Sequence, residues 1–274
     1  MLSFPNCKIN LGLYIIGKRE DGFHNLETVF YPVPVKDALE IVQTSEASIP
    51  VQFSNSGLIA EANTENNICV KAYHLLKKDF PQLPSVKMHL HKTIPIGAGL
   101  GGGSADASFT LKLLNDKFRL GITDSQLLHY ALQLGSDCPF FIFNKPCIAT
   151  GRGEILEAIN LDLSAYQLLV VNPGIHINTA QAFSQLKNFS PKNHLKEIIQ
   201  QPIETWKQDL KNDFEKSMFK QHPEIETVKE TIYNQGSIYA SMSGSGSSVY
   251  GLFKKNQTVN NTFPSHYSVV LLPL

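Results

Sequence analysis

Pro95-Ile96-Gly97-Ala98-Gly99-Leu100-Gly101-Gly102-Gly103-Ser104-Ala105 places five glycines in the seven positions from Gly97 to Gly103. A plain turn needs only one or two. The stretch follows a strand-like run, Val86 to His91, and precedes a helical pattern in which Ala105, Phe109 and Leu113 recur at four-residue steps. Glycine admits positive φ and lets the backbone approach a ligand with no Cβ in the way. The first amides of the following helix lack intrahelical partners, and the helix dipole is positive at that end. Phosphate oxygens suit such a place. Ser104 adds a hydroxyl for a phosphate or a metal ion.

The flanking sequence speaks against three known phosphate loops. Gly97, Gly99 and Gly102 satisfy G-x-G-x-x-G, but the dinucleotide fold also needs a second strand ending in an acid after the helix. Here Gly121 follows, then another helix with capping-box spacing at Thr123 and Gln126, stopping near Gly135. No Gly-Lys-Ser/Thr closes the loop, so it is not a Walker loop, and no HRD or DFG marks a protein kinase. Asp137 comes directly after the third helix, and the apolar run Phe140 to Phe143 reads as a buried strand.

Toward the N-terminus, Cys7, Ile9, Leu11, Leu13 and Ile15 alternate with Lys8, Asn10, Gly12 and Tyr14. A strand follows from that period of two, with Lys8 and Asn10 side by side on one face. Gly17 to Gly22 reads as a turn. Thr28 to Val35, Leu39 to Val42 and Val51 to Phe53 read as strands, and about Glu65 to Lys78 as a helix with Ile68, Ala72, Leu75 and Leu76 on its apolar face. In the second half, strands are expected at Tyr166 to Val171, Ile238 to Met242, Val249 to Phe253 and Ser268 to Leu272. Helices are expected at Thr179 to Leu186, Trp206 to Phe219 and Glu224 to Asn234, with Pro191 to Gln201 mixed. A domain boundary falls near residues 150 to 165.

Bulk properties exclude several classes. Lys plus Arg and Asp plus Glu number 24 each, which argues against a nucleic-acid binder. The four cysteines form no CxxC pair, so neither a disulfide framework nor a zinc site is expected. Without a signal-peptide pattern or an apolar run long enough to span a bilayer, the expectation is a soluble, cytoplasmic protein with no membrane partner.

The pattern P-x-G-x-G-L-G-G-G-S-A resembles that of the GHMP small-molecule kinases. Pro5-Asn6-Cys7-Lys8-Ile9-Asn10-Leu11 resembles the first motif of that superfamily, and Ser241-Met242-Ser243-Gly244-Ser245-Gly246-Ser247 its third. Asp21-Gly22-Phe23-His24, Gly135-Ser136-Asp137-Cys138-Pro139-Phe140-Phe141 and Pro173-Gly174 with Thr179 and Phe183 resemble the branch that phosphorylates a hydroxyl of cytidine-diphosphate methylerythritol. The resemblance implies an α+β two-domain fold: a ribosomal-protein-S5-like ATP-binding and catalytic domain over 1–160, and a ferredoxin-like substrate-binding domain over 161–274. It implies ATP with Mg²⁺, transfer to position 2 of the erythritol in the non-mevalonate isoprenoid pathway, a small-molecule partner, and a monomer or weak homodimer. Two rivals stay open, a GHMP kinase for another alcohol such as homoserine or mevalonate and a GHMP-fold sensor without turnover, with a dinucleotide-binding oxidoreductase a distant third.

Roles follow from that resemblance. Asp137, which local sequence alone reads as a capping or loop aspartate, becomes the general base. Lys8, otherwise an exposed strand lysine, becomes its catalytic partner, and Asn10 a residue orienting the acceptor hydroxyl. Residues 95–105 become the ATP site. Phe23, His24 and Phe183 become the cytidine clamp, with Thr179 a further substrate contact. Phe23 stands where the family usually has Tyr, which keeps stacking and loses a phenolic hydrogen bond. Cys7 and Cys138 replace commoner small or aliphatic residues. Lys92 lies either near the nucleotide or in solvent. No metal ligand is assigned.

Overall fold

The structure, a computed structural model, describes residues 1–46, 48–58, 66–186, 189 and 195–274. In chain order the first half carries β1 (Leu2–Ser3), β2 (Asn6–Lys18), β3 (His24–Lys36), β4 (Ala38–Gln43), β5 (Val51–Gly57), α1 (Ile68–Asp79), β6 (Val86–Lys92), α2 (Gly102–Phe118), α3 (Asp124–Leu134) and α4 (Cys138–Phe143). The second half carries β7 (Cys147–Thr150), β8 (Ile155–Ala158), β9 (Tyr166–Asn172), α5 (Thr179–Ser184), α6 (Leu195–Ile198), α7 (Trp206–Asp209), α8 (Glu215–Gln221), α9 (Pro223–Asn234), β10 (Tyr239–Met242), β11 (Val249–Lys254) and β12 (Ser268–Pro273). Glu65, where the first helix was expected to start, and residues 191–194 of the mixed segment lie outside the described residues.

Packing divides the chain into two compact units. One comprises Met1–Cys7, Pro34–Ile96 and Gly101–Asn144; the other comprises Lys8–Val33, Gly97–Leu100 and Lys145–Leu274. The expected boundary at residue 160 falls inside the second unit.

In the first unit a sheet of order β1-β4-β6-β5 is antiparallel except for the parallel pair β5 and β6. Strand periodicity is visible in β6, where Val86, Met88, Leu90 and Lys92 are buried and Lys87, His89 and His91 are not. The apolar face meets α1, α2 and α3 in one core that includes Leu39, Ile41, Tyr73, Leu76, Leu111 and Leu127. Each such fully buried aliphatic side chain contributes about 1.5–3 kcal/mol. Helix α3 starts with the expected capping box, Thr123 with Gln126, and ends at Gly135. The Gly135 φ of 169° is extended backbone open to any residue.

The run Phe140 to Phe143 is not a strand. It belongs to α4, with Pro139 in its first turn and Cys138 to Ile142 buried. A short, uniformly apolar run carries no periodicity to separate helix from strand. Proline in the first helical turn, where no amide partner is missed, decides it.

The second unit holds two sheets. Strands β2-β3-β7-β8 form one; β10-β11-β9-β12 form the other, fully antiparallel. Counted along the chain, the latter order is 4-1-3-2 read from its β12 edge, the ferredoxin-like arrangement. Residues 255–267 supply turns where that arrangement usually has its second helix. Helix α9 lays Ile225, Val228 and Ile232 into a core with Leu169, Val171, Met242 and Val249. The single helical segment expected over Trp206 to Phe219 is two helices, α7 and α8. Between them the chain is extended: Leu13 donates its amide to the Lys211 carbonyl at 2.8 Å, and Asp213 donates to the Leu13 carbonyl at 2.9 Å. Pairing with β2 overrides local helical preference there.

Candidate active site

In the second unit, β2 is buried on both faces. Lys8 is 3 % exposed and Asn10 2 %, so Lys8 is no solvated strand lysine. The expected adjacency holds: Lys8 Nζ donates to Asn10 Oδ1 at 2.5 Å and to the Gly99 carbonyl at 3.3 Å, and sits 4.9 Å from the Phe30 ring centroid. Asn10 Nδ2 donates to Thr28 Oγ1 at 3.0 Å, which fixes the amide with its oxygen toward the lysine.

Residues 97–100 of the glycine-rich stretch are stitched to the same strand and to the segment 243–248. Lys8 donates its amide to the Leu100 carbonyl at 2.9 Å, Ser248 donates to the Ala98 carbonyl at 3.1 Å, and Ser243 Oγ donates to the Gly99 carbonyl at 2.8 Å. Three motifs far apart in sequence thus share one hydrogen-bond network. Ser243 and Ser247 are fully buried, so this serine-rich segment is a packed loop. Asn212, with no motif to announce it, holds that loop by donating to the Met242 and Gly244 carbonyls at 2.7 and 2.8 Å.

Positive φ occurs at Gly97, Gly99 and Gly101. At Gly99 a Cβ would also overlap the Ser243 carbonyl oxygen. Glycine is required there on both counts.

In the first unit, Gly101 takes a left-handed conformation as the N-cap of α2, and Ala105 makes the first helical bond, to the Gly101 carbonyl at 2.9 Å. The amides of Gly102, Gly103 and Ser104 therefore precede the helical ladder. Gly103 is exposed with open space where a Cβ would project, and Ser104 is half-buried beside it. Pro95 is half-buried and Ile96 exposed at the entry to the stretch. Asp137 occupies the N-cap position of α4 in a helical conformation, half-buried, and its side chain makes no cap hydrogen bond. Its capping role is thereby removed. The neighbouring Cys138 thiol is pushed up to about 12 by burial, against the hydroxyls of Ser104 and Ser108 and with Asp137 adding to the rise. It is an inert core thiol.

The aromatic candidates divide. His24 stacks on Phe183 with ring centroids 4.9 Å apart and planes 20° from parallel. Burial, with Lys18 nearby, lowers the His24 pKa below its ordinary value. Phe23 is 51 % exposed and carries the Arg152 guanidinium 4.8 Å from its ring centroid. Its amide donates to Asp21 Oδ1 at 3.1 Å. Thr179 shares a hydrogen bond with Ser245 at 3.1 Å. Arg152 stands alone between Gly151 and Gly153, so no local pattern marks it. Lys92 is not solvated: it is buried at 3 % exposure between two aspartates.

Comparison with known proteins identifies the family. The family model described as GHMP kinases N terminal domain matches residues 67–145, and GHMP kinases C terminal matches 195–263. A Bacteroides fragilis protein named 4-diphosphocytidyl-2-C-methyl-D-erythritol kinase is 53% identical over 259 residues, 94% of each chain. One of the same name from Cytophaga hutchinsonii is 43% identical over 275 residues, covering both chains fully. A crystal structure of 4-(cytidine 5'-diphospho)-2C-methyl-D-erythritol kinase superposes with a TM-score of 0.79 at 30% identity, covering 92% of this chain and 90% of that one. No helix among the described residues is long and apolar enough to cross a membrane.

Proposed function

The chain belongs to the GHMP kinases and, within them, to the 4-diphosphocytidyl-2-C-methyl-D-erythritol kinases, and from that membership we propose how its own residues carry the transfer of a phosphoryl group from ATP to the 2-hydroxyl of the erythritol. The products are the 2-phosphate and ADP, a step of non-mevalonate isoprenoid synthesis. The observation that carries the reading is the single network joining Lys8, Asn10, Gly99 and Ser243, since it draws together all three motifs that the resemblance marks as functional.

Residues 95–105 hold the ATP phosphates through the early amides of α2, with the positive end of the helix dipole favouring their charge. Phosphoryl transfer has a loose transition state, so positioning and charge supply most of the rate. Asp137 takes the proton of the acceptor hydroxyl. Lys8, an ammonium on a buried strand, stabilises the developing alkoxide. Asn10 orients that ammonium. Phe23 and the His24–Phe183 pair hold the cytosine by stacking, His24 presenting a neutral imidazole for its polar edge, with Thr179 beside them.

Among the described residues no three His, Cys, Asp or Glu side chains gather as a metal centre. Mg²⁺ fits this chain as an ion that travels on the nucleotide, since it keeps several waters and takes one or two protein oxygens. Ser104 offers its hydroxyl to the phosphates, no side chain is assigned to the ion, and the ion carried on the nucleotide would neutralise phosphate charge.

The test is ADP release by the purified protein with Mg-ATP and a panel of acceptors. Release that depends on cytidine-diphosphate methylerythritol is expected. Release with homoserine or mevalonate alone would redirect the assignment, and silence with every acceptor would point to a sensor.

A further inference from the structure

Lys92 is the last residue of β6, immediately before the chain leaves for the glycine-rich stretch. Its ammonium donates to Asp37 Oδ2 and, at 2.7 Å, to Asp106 Oδ2. All three residues are at most 3 % exposed. Asp37 Oδ1 in turn accepts the amides of Thr93 at 2.6 Å and Ile94 at 2.9 Å. Asp106 lies in the early part of α2, and a Cβ on Gly102 would stand 2.9 Å from Ile94 Cγ2 and 3.4 Å from Lys92 Nζ. The stem that enters the glycine-rich stretch and the helix that leaves it are therefore tied to one buried ammonium.

We propose that Asp106 is a positioning residue for the nucleotide, holding, with Lys92 and Asp37, the two stems of the glycine-rich stretch at the spacing the ATP phosphates need. The proposal rests on the reading of residues 95–105 as the ATP site.

Charge bookkeeping identifies the working form. Two carboxylates and one ammonium, all buried, would leave an uncompensated negative charge, which a dry interior penalises heavily. Holding one proton removes it. Burial pushes the Asp106 carboxyl up to about 7; Lys92 opposes the rise and Asp37 adds to it. Although burial works against its charge, Lys92 is held above its ordinary range by Asp106 and Asp37. The titratable groups facing Asp106 are Lys92 from β6, Asp37 from the β3–β4 link and Cys69 from α1, whose thiol burial keeps neutral. Asp106 Oδ1 is buried with no hydrogen-bond partner among the described residues, a place that suits a neutral carboxyl better than an ion. When Asp106 ionises, two carboxylates compete for one ammonium and a negative charge appears beneath the helix end assigned to phosphate.

Steady-state kinetics of the full chain from pH 6 to 8.5 test this with wild type, Asp106→Asn and Asp106→Ala. Asparagine has the shape of the acid and stands in for its neutral form. The wild-type KM for ATP should rise about fivefold more than that of Asp106→Asn across the range, while Asp106→Asn keeps kcat within about threefold. Asp106→Ala should raise KM for ATP about tenfold and change kcat less. The proposal is overturned if the KM profiles of wild type and Asp106→Asn superimpose, or if folded Asp106→Ala binds ATP as wild type does. Should the alanine variant not fold, the asparagine comparison decides alone. A wild type without kinase activity would instead overturn the reading of the loop, so the two failures are distinct.

Discussion

The Ser243 hydroxyl donates to the Gly99 carbonyl at 2.8 Å, while the Ser243 carbonyl oxygen fills the space where a Gly99 Cβ would stand. Backbone meets backbone, so neither side can yield by turning a side chain. Gly99→Ala adds that overlap to a strained φ of 76°. It should destabilise by roughly 2–4 kcal/mol and abolish most activity. Urea unfolding checks it, and a variant as stable as wild type would show that the contact is dispensable.

Gly103 gives the opposite expectation. It is exposed, its φ is ordinary, and open space lies where its Cβ would go. Gly103→Ala should leave stability within about 1 kcal/mol of wild type. Because a phosphate approaching the early amides of α2 would meet the new methyl, KM for ATP should rise at least about tenfold. An unchanged KM would remove the phosphate from this face.

Lys8→Ala and Asp137→Ala should each lower kcat by about 10²–10⁴ with little change in ATP affinity, read by nucleotide titration alongside turnover. Lys8→Ala also strips a buried hydrogen bond from Asn10, so Lys8→Met serves as the packed control. Near-normal turnover in Asp137→Ala would end its assignment as the base.

His24 is lowered below its ordinary value by burial and Lys18, so the unfolded chain takes up the proton first as pH falls. Its contribution to stability is full above the ordinary histidine range and is lost as pH drops through the folded-state value. An NMR titration should place the His24 midpoint below about 6.5, and KM for the cytidylyl substrate should rise on that acid limb. A midpoint at or above the ordinary value would contradict the burial of the ring.

Local chemistry carried much of the reading. The capping box at Thr123 and Gln126, the period of two in β2 and β6, and the glycine-rich stretch are visible because each is written within a few residues. Two elements depart from their local pattern for physical reasons. Phe140 to Phe143 offered no period to separate strand from helix, and the break between α7 and α8 is set by pairing with a strand almost two hundred residues earlier.

By itself the chain's order of residues determined its family, its glycine-rich stretch and the pairing of Lys8 with Asn10, since motif, glycine content and alternation are local properties of a polymer. Only the tertiary structure decided that Asp37 and Asp106 share the ammonium of Lys92, and that His24 rests on Phe183. Burial and charge compensation arise between segments distant in sequence, so no window along the chain contains them.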